Sequence, residues 1–164
     1  MRTSEARLIA FGGMMASIAV VIMCLGGLIP VATFTVPIIC MLILAYVLKF
    51  CGRRIGWAWY GAVSILGLLL GPDKEAAAIF LFLGYYPILK PRLDRMKLGI
   101  LLKALIFNCM ILLMYGALIY LMGLQYIAQE YHQLGKIMTV FMLVGGNVVF
   151  FLLDKVLRRF NQIK

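Results

Sequence analysis

The sequence predicts an all-α, polytopic membrane protein: a bundle of six transmembrane helices with both termini cytoplasmic. Three observations lead there. Of 164 residues, 65% are hydrophobic and 13% charged, and the mean hydropathy is +1.04, against roughly half apolar residues in soluble domains. The apolar residues fall in runs of helical length, separated by short glycine, proline or basic punctuation. Six such spans consume almost the whole length, which leaves no room for a soluble catalytic domain. The third observation is that the basic residues are sided. A formal net charge of +10 otherwise suggests nucleic acid as a partner, but these cations sit in short runs between apolar stretches and form no stripe or tail. Cytoplasmic loop charge accounts for them, and no nucleic-acid partner is expected.

Taken in order, the first span covers about residues 8–28. Arg2 and Arg7 precede it, yet the run outlasts a signal h-region and no small-residue cleavage site follows, so it reads as a retained helix. The punctuation Gly26-Gly27-Leu28-Ile29-Pro30 separates it from a second span at about 35–50, with Pro37 in the tolerant first turn. The third, about 55–70, and the fourth, about 75–89, are divided by Gly71-Pro72-Asp73-Lys74. The fifth runs over about 98–122 and the sixth over about 137–153.

Orientation follows from lysine and arginine, which are retained on the inner side near span ends. With both termini inside, fourteen cations are internal: Arg2, Arg7, Lys49, Arg53, Arg54, Lys90, Arg92, Arg95, Lys97, Lys103, Lys155, Arg158, Arg159 and Lys164. Only Lys74 and Lys136 fall outside. Trp57, Trp59 and Tyr60 next to Arg53-Arg54, and Tyr85-Tyr86 before Lys90, read as headgroup-level anchors. Lys103, one turn inside the fifth span, has a stem long enough to carry its ammonium back to the headgroups.

A straight helix needs about 20 residues to cross a core of roughly 30 Å. The second, third and fourth spans fall short, so anchoring their inner ends leaves their outer ends below the outer surface. That shortfall predicts an outward-facing depression holding Asp73, Lys74 and Glu75. Ionisable groups at such depth point to a ligand or a water-filled cavity. The same carboxylates also suit the start of the fourth helix, where they cap free N–H groups and oppose the macrodipole; both readings stay open. Thr33, Thr35 and Tyr126 lie on that outer side, and with Asn108 and Asn147 deeper in the fifth and sixth spans they complete the candidate ligand set. Interhelical hydrogen bonding is the alternative for the two asparagines. A mixed polar and aromatic lining suits a small polar molecule.

The first span carries small residues at helical spacing, Ala6 and Ala10 with Gly13 and Ser17, which permit close approach of another helix, either within the bundle or on a partner subunit. The four cysteines, Cys24, Cys40, Cys51 and Cys109, show neither CxxC nor Cys/His spacing and read as small buried apolar residues. His132 has no companion at ligand spacing, so no metal is expected, and no other cofactor.

Six short helices, cytoplasmic termini, the small-residue first helix and the stretches Gly26–Pro30, GPDKEAA at 71–77 and GYYPILK at 84–90 resemble the substrate-binding S components of energy-coupling-factor (ECF) vitamin transporters. The resemblance implies a subunit that captures a vitamin-like micronutrient outside the cell membrane and depends on a transmembrane coupling subunit with two cytoplasmic ATPases. Absence of GxxxxGK[ST] fits that dependence. In the family the first-helix small residues meet the coupling subunit, which carries over to Ala6 and Ala10; Arg7 inside the motif and Gly12-Gly13 after it depart from the pattern. The alternatives are a self-sufficient small secondary carrier or channel and a non-transporting membrane scaffold. An enzyme is not expected: neither HExxH nor GxSxG is present, and no serine or aspartate pair sits at mid-bilayer depth.

Overall fold

The computed structural model describes residues 2–27, 29, 32–96, 99–120 and 144–159, and every regular element among them is a helix. The chain forms two compact units, Met1–Arg95 and Met96–Lys164. The first holds α1 (Arg2–Gly26), α2 (Ala32–Leu70), α3 (Lys74–Leu83) and α4 (Tyr86–Leu93), and the second holds α5 (Gly99–Tyr120) and a helical stretch over residues 144–159, here α6.

At 39 residues, a straight α2 would reach about 58 Å, nearly twice a bilayer core. It is not straight. Gly52 takes φ 80° and ψ 176°, a backbone region open to glycine and strained for any residue with a Cβ. The chain doubles back there into two arms, 32–51 and 53–70, so that Gly56 packs on the side chains of Leu48 and Leu44. Each arm then measures about 27–30 Å.

Contacts with α1 fix the directions of the arms. Along the first arm they run backward: Gly26 lies against Val36, the Cys40 thiol donates to the Ala19 carbonyl at 3.7 Å, and the Cys51 thiol donates to that of Leu8 at 3.5 Å. Along the second they run forward, with Gly12 against Ile55, Met23 against Gly67 and Cys24 donating to Leu70 at 3.9 Å. The result is a three-rod packing whose core includes Ala19, Met23, Cys40, Leu44, Val47 and Val63. Close rod approach rests on Gly26 and Gly67, where a Cβ would collide with Val36 and Met23. The buried-cysteine expectation holds for Cys40 and Cys51, whereas Cys24 is half-buried and Cys109 exposed.

After the turn at 71–73, α3 returns along the second arm: Phe80 meets Trp59 edge-on at 6.2 Å between ring centres, and the Tyr60 hydroxyl donates to the Leu81 carbonyl. Between α3 and α4 the residues Gly84 and Tyr85 keep right-handed helical angles. Pro87 explains the interruption, because it has no N–H for the Leu83 carbonyl and its ring crowds that group.

Several expectations need correction. The second helix starts at Ala32, three residues early, which moves Pro37 out of the first turn and into the buried interior. The fourth helical path runs from Lys74 through Leu93, beyond the expected end at 89, because Lys90 does not stop it. That ammonium is buried, 3.5 Å from the Asp94 carboxylate and 6.0 Å from the Tyr86 ring centre. The lengths on which the outward depression rested are therefore not those of the structure. Trp59 and Tyr86 are also not headgroup anchors of the expected kind: both are buried, while Trp57 remains exposed.

Three helices among the described residues are long and apolar enough to cross a membrane: Glu5–Gly26, Ala32–Leu70 and Gly99–Ala117. Their outward side chains include Ile9, Val21, Leu69, Leu105 and Leu112, all exposed. Lipid tolerates such a surface and water does not.

The reversal yields a stability prediction. Gly52→Ala forces an alanine into the strained region and is expected to lower stability in detergent by about 1–3 kcal/mol. Gly61→Ala, mid-helix with open space at its Cβ position, is expected to be neutral or to raise stability by up to about 1 kcal/mol. Thermal unfolding of the two variants side by side checks the contrast.

Candidate functional site

Within the first unit the structure brings together three of the residues singled out in the sequence. Asp73 is the N-cap of α3: one carboxylate oxygen accepts the Ala76 backbone N–H at 3.0 Å, and the other accepts the Thr33 hydroxyl at 2.7 Å. Lys74 turns back toward the preceding arm and donates to the carbonyls of Leu68 at 2.8 Å and Gly71 at 2.9 Å. Both charges thus lie where helix dipoles favour them, the acid at the start of one helix and the ammonium over the last carbonyls of another. A Cβ on Gly27 would strike Pro72 and come within 3.1 Å of the Asp73 nitrogen, so the α1–α2 connection presses directly on this turn.

The cluster is a lock between two connections. Of the two readings the sequence left open, capping is the one with geometry behind it, since both Asp73 oxygens are engaged by the chain itself. Glu75 is half-buried on the first turn of α3 and Thr35 is exposed on α2. Tyr126 lies outside the described residues.

In the second unit α5 and α6 pair in antiparallel register, 103 with 154, 107 with 150 and 108 with 147. Asn108 and Asn147 exchange two amide hydrogen bonds, each 3.1 Å, and Asn108 also donates to the Ala104 carbonyl at 2.8 Å. The Phe107 and Phe150 rings stack at 4.5 Å. One turn further, the Lys103 ammonium sits 3.2 and 3.3 Å from the two Asp154 oxygens, with Arg158 at 3.5 Å from the same carboxylate. Lys103 and Asp154 are both buried.

This corrects the reading of Lys103 as a side chain reaching back to the headgroups: a carboxylate at matching depth holds it inside. Sequence reasoning missed the pair, although a signal was present. Matching Asn108 to Asn147 in an antiparallel pair places position 103 beside the stretch around 152–154, where Asp154 is the acid. For the two asparagines, interhelical bonding is the alternative that the geometry supplies. An ion pair and an amide pair on one seam can orient two helices or, if opened, bind a proton or a polar group.

The small residues Ala6, Ala10, Gly13 and Ser17 are all exposed on α1. A Cβ on Gly13 would meet nothing within 4 Å, and Ser17 satisfies its hydroxyl on the Gly13 carbonyl at 3.1 Å. α1 packs inside the unit through another face, that of Gly12, Ala19, Met23 and Gly26. Among the described residues no cluster of three or more histidine, cysteine or acidic side chains has the geometry to hold a metal ion.

Two predictions follow from the two clusters. Asp73→Ala removes a cap and the Thr33 acceptor together and is expected to cost about 1–2 kcal/mol, with Thr33→Val adding little on top; a double-mutant cycle by thermal unfolding reads that non-additivity. In the second unit Asp154→Asn takes the carboxylate from a buried ammonium, with an expected loss of about 3–5 kcal/mol. Lys103→Met is expected to cost less, because Arg158 still faces Asp154, and the pair Lys103→Met/Asp154→Leu to recover most of the loss.

The chain matches no protein-family model, no curated protein and no solved structure.

Proposed function

We propose that this protein is a membrane-embedded substrate-binding subunit that works by docking to a larger membrane partner, in the manner of the ECF S components it resembles. In this reading it lies in the cell membrane as six spans with both termini cytoplasmic. It takes up a small polar, vitamin-like solute from outside and passes it to a coupling subunit driven by two cytoplasmic ATPases. One observation carries the reading: the small-residue positions Ala6, Ala10, Gly13 and Ser17 are exposed on α1, while the helix packs internally through a different face. An outward small-residue face on an apolar helix supports close packing against a helix from elsewhere.

Co-purification tests it. Gentle extraction is expected to recover the chain with a membrane protein and ATPase subunits, and Ala10→Leu, which puts a bulky side chain on the exposed face, is expected to abolish that association while thermal stability stays within about 0.5 kcal/mol. Retained association in the leucine variant rejects the α1 face. Mass spectrometry of small molecules carried by the complex identifies the solute class.

A self-sufficient secondary carrier is the second reading, and the buried Lys103–Asp154 pair favours it, because an ionisable pair between apolar helices suits proton or ion coupling. Solute accumulation by liposomes containing this chain alone, driven by an ion gradient, selects the carrier.

A further inference from the structure

On α6 the residues Phe151, Asp154, Lys155, Arg158 and Arg159 recur at helical spacing on one face and line an open cleft of about 400 Å³. Three cations share it with one carboxylate, and that carboxylate is already held by Lys103 and Arg158. Lys155 and Arg159 are exposed, and neither forms an ion pair among the described residues. The cleft lining carries a surplus of two positive charges. Toward the start of the helix Val148, Val149 and Leu152 form an exposed apolar wall that runs up to the cleft, and Val156 is exposed beside it.

We propose that this cleft binds the phosphate-bearing headgroup of an anionic membrane lipid, with its acyl chains lying along the valine and leucine wall. Guanidinium groups fit phosphate oxygens in a two-pronged manner, and basic side chains clustered on an amphipathic helix are suited to anionic headgroups. The apolar wall is what selects a lipid over a free phosphate: an inorganic anion gains nothing from Val148 or Leu152. The proposal rests on membrane embedding and not on any transport role, so the site stands even if no ATPase partner is found.

The test uses the full chain in detergent, titrated with phosphatidylglycerol, phosphatidylcholine or inorganic phosphate and followed by native mass spectrometry and thermal shift. Phosphatidylglycerol is expected to bind and stabilise, and the other two are not. Lys155→Gln/Arg159→Gln leaves the Lys103–Asp154–Arg158 contacts in place and is expected to weaken phosphatidylglycerol binding roughly thirty-fold, whereas Lys155→Arg/Arg159→Lys is expected to keep it within about two-fold, since it preserves both charges. Unchanged binding in the glutamine pair overturns the site. So does an equal loss in Arg53→Gln/Arg54→Gln, which would indicate general surface charge, or equal stabilisation by inorganic phosphate, which would indicate a plain anion site. In the unaltered chain, a photoreactive phosphatidylglycerol is expected to label residues 148–159; labels confined to other segments overturn the proposal without relying on any variant.

Discussion

In a chain this apolar, a polar side chain between helices has no water to fall back on, and the structure is organised by the partners that most of them find inside the protein, the buried Trp59 indole N–H and Ser64 hydroxyl being the exceptions among the described residues. An unmet donor or charge in such surroundings costs several kcal/mol in order of magnitude, whereas an apolar contact with a neighbouring helix gains little over the same contact with lipid. Specific pairing therefore falls to a handful of groups. Thr33 finds Asp73, Lys74 finds two carbonyls, Tyr60 finds the Leu81 carbonyl, Lys90 finds Asp94, Lys103 finds Asp154, and the two asparagines find each other. All of these except the Lys90–Asp94 pair, which lies at the end of α4 itself, join elements that leucine-on-leucine packing alone would leave free to slide.

The glycines do the complementary work. Gly26 and Gly67 let the rods approach closely enough for cysteine thiols to reach carbonyls across the gap. Such thiol contacts are weak individually, but they lie at several levels along α1 and share its register. Close backbone approach and sparse polar ties together explain how a unit with so few polar residues keeps a defined arrangement.

Helix type and membrane character were readable from hydropathy because both are bulk properties, summed over about twenty residues at a time. Asp73 was readable as a cap, as one of two open readings, from its position at the start of the fourth helix. Lys90 and Lys103 misled, because a lysine in sequence looks like an aqueous boundary until its counter-charge is found, and that partner is decided by three-dimensional register. Lys90 has its partner four residues on, Lys103 fifty-one residues away. Trp59 misled in the same way, since headgroup preference is a statistical tendency and the indole instead lies buried, edge-on to Phe80. Of these residues, Lys90 is the one that shortened an expected helix, ending the fourth at 89 where the structure continues to Leu93.

The reversal at Gly52 has a consequence for how this protein tolerates change. An ordinary interhelical loop absorbs insertions and deletions as slack, and the rods it joins rotate independently. A turn made at one glycine has no slack. Adding a residue to either side of it twists that arm by about 100° relative to its mate, which carries Gly56 away from Leu48 and the cysteines away from their carbonyls. The two arms are thereby geared together: a change of length beside Gly52 in one arm disturbs the packing of both.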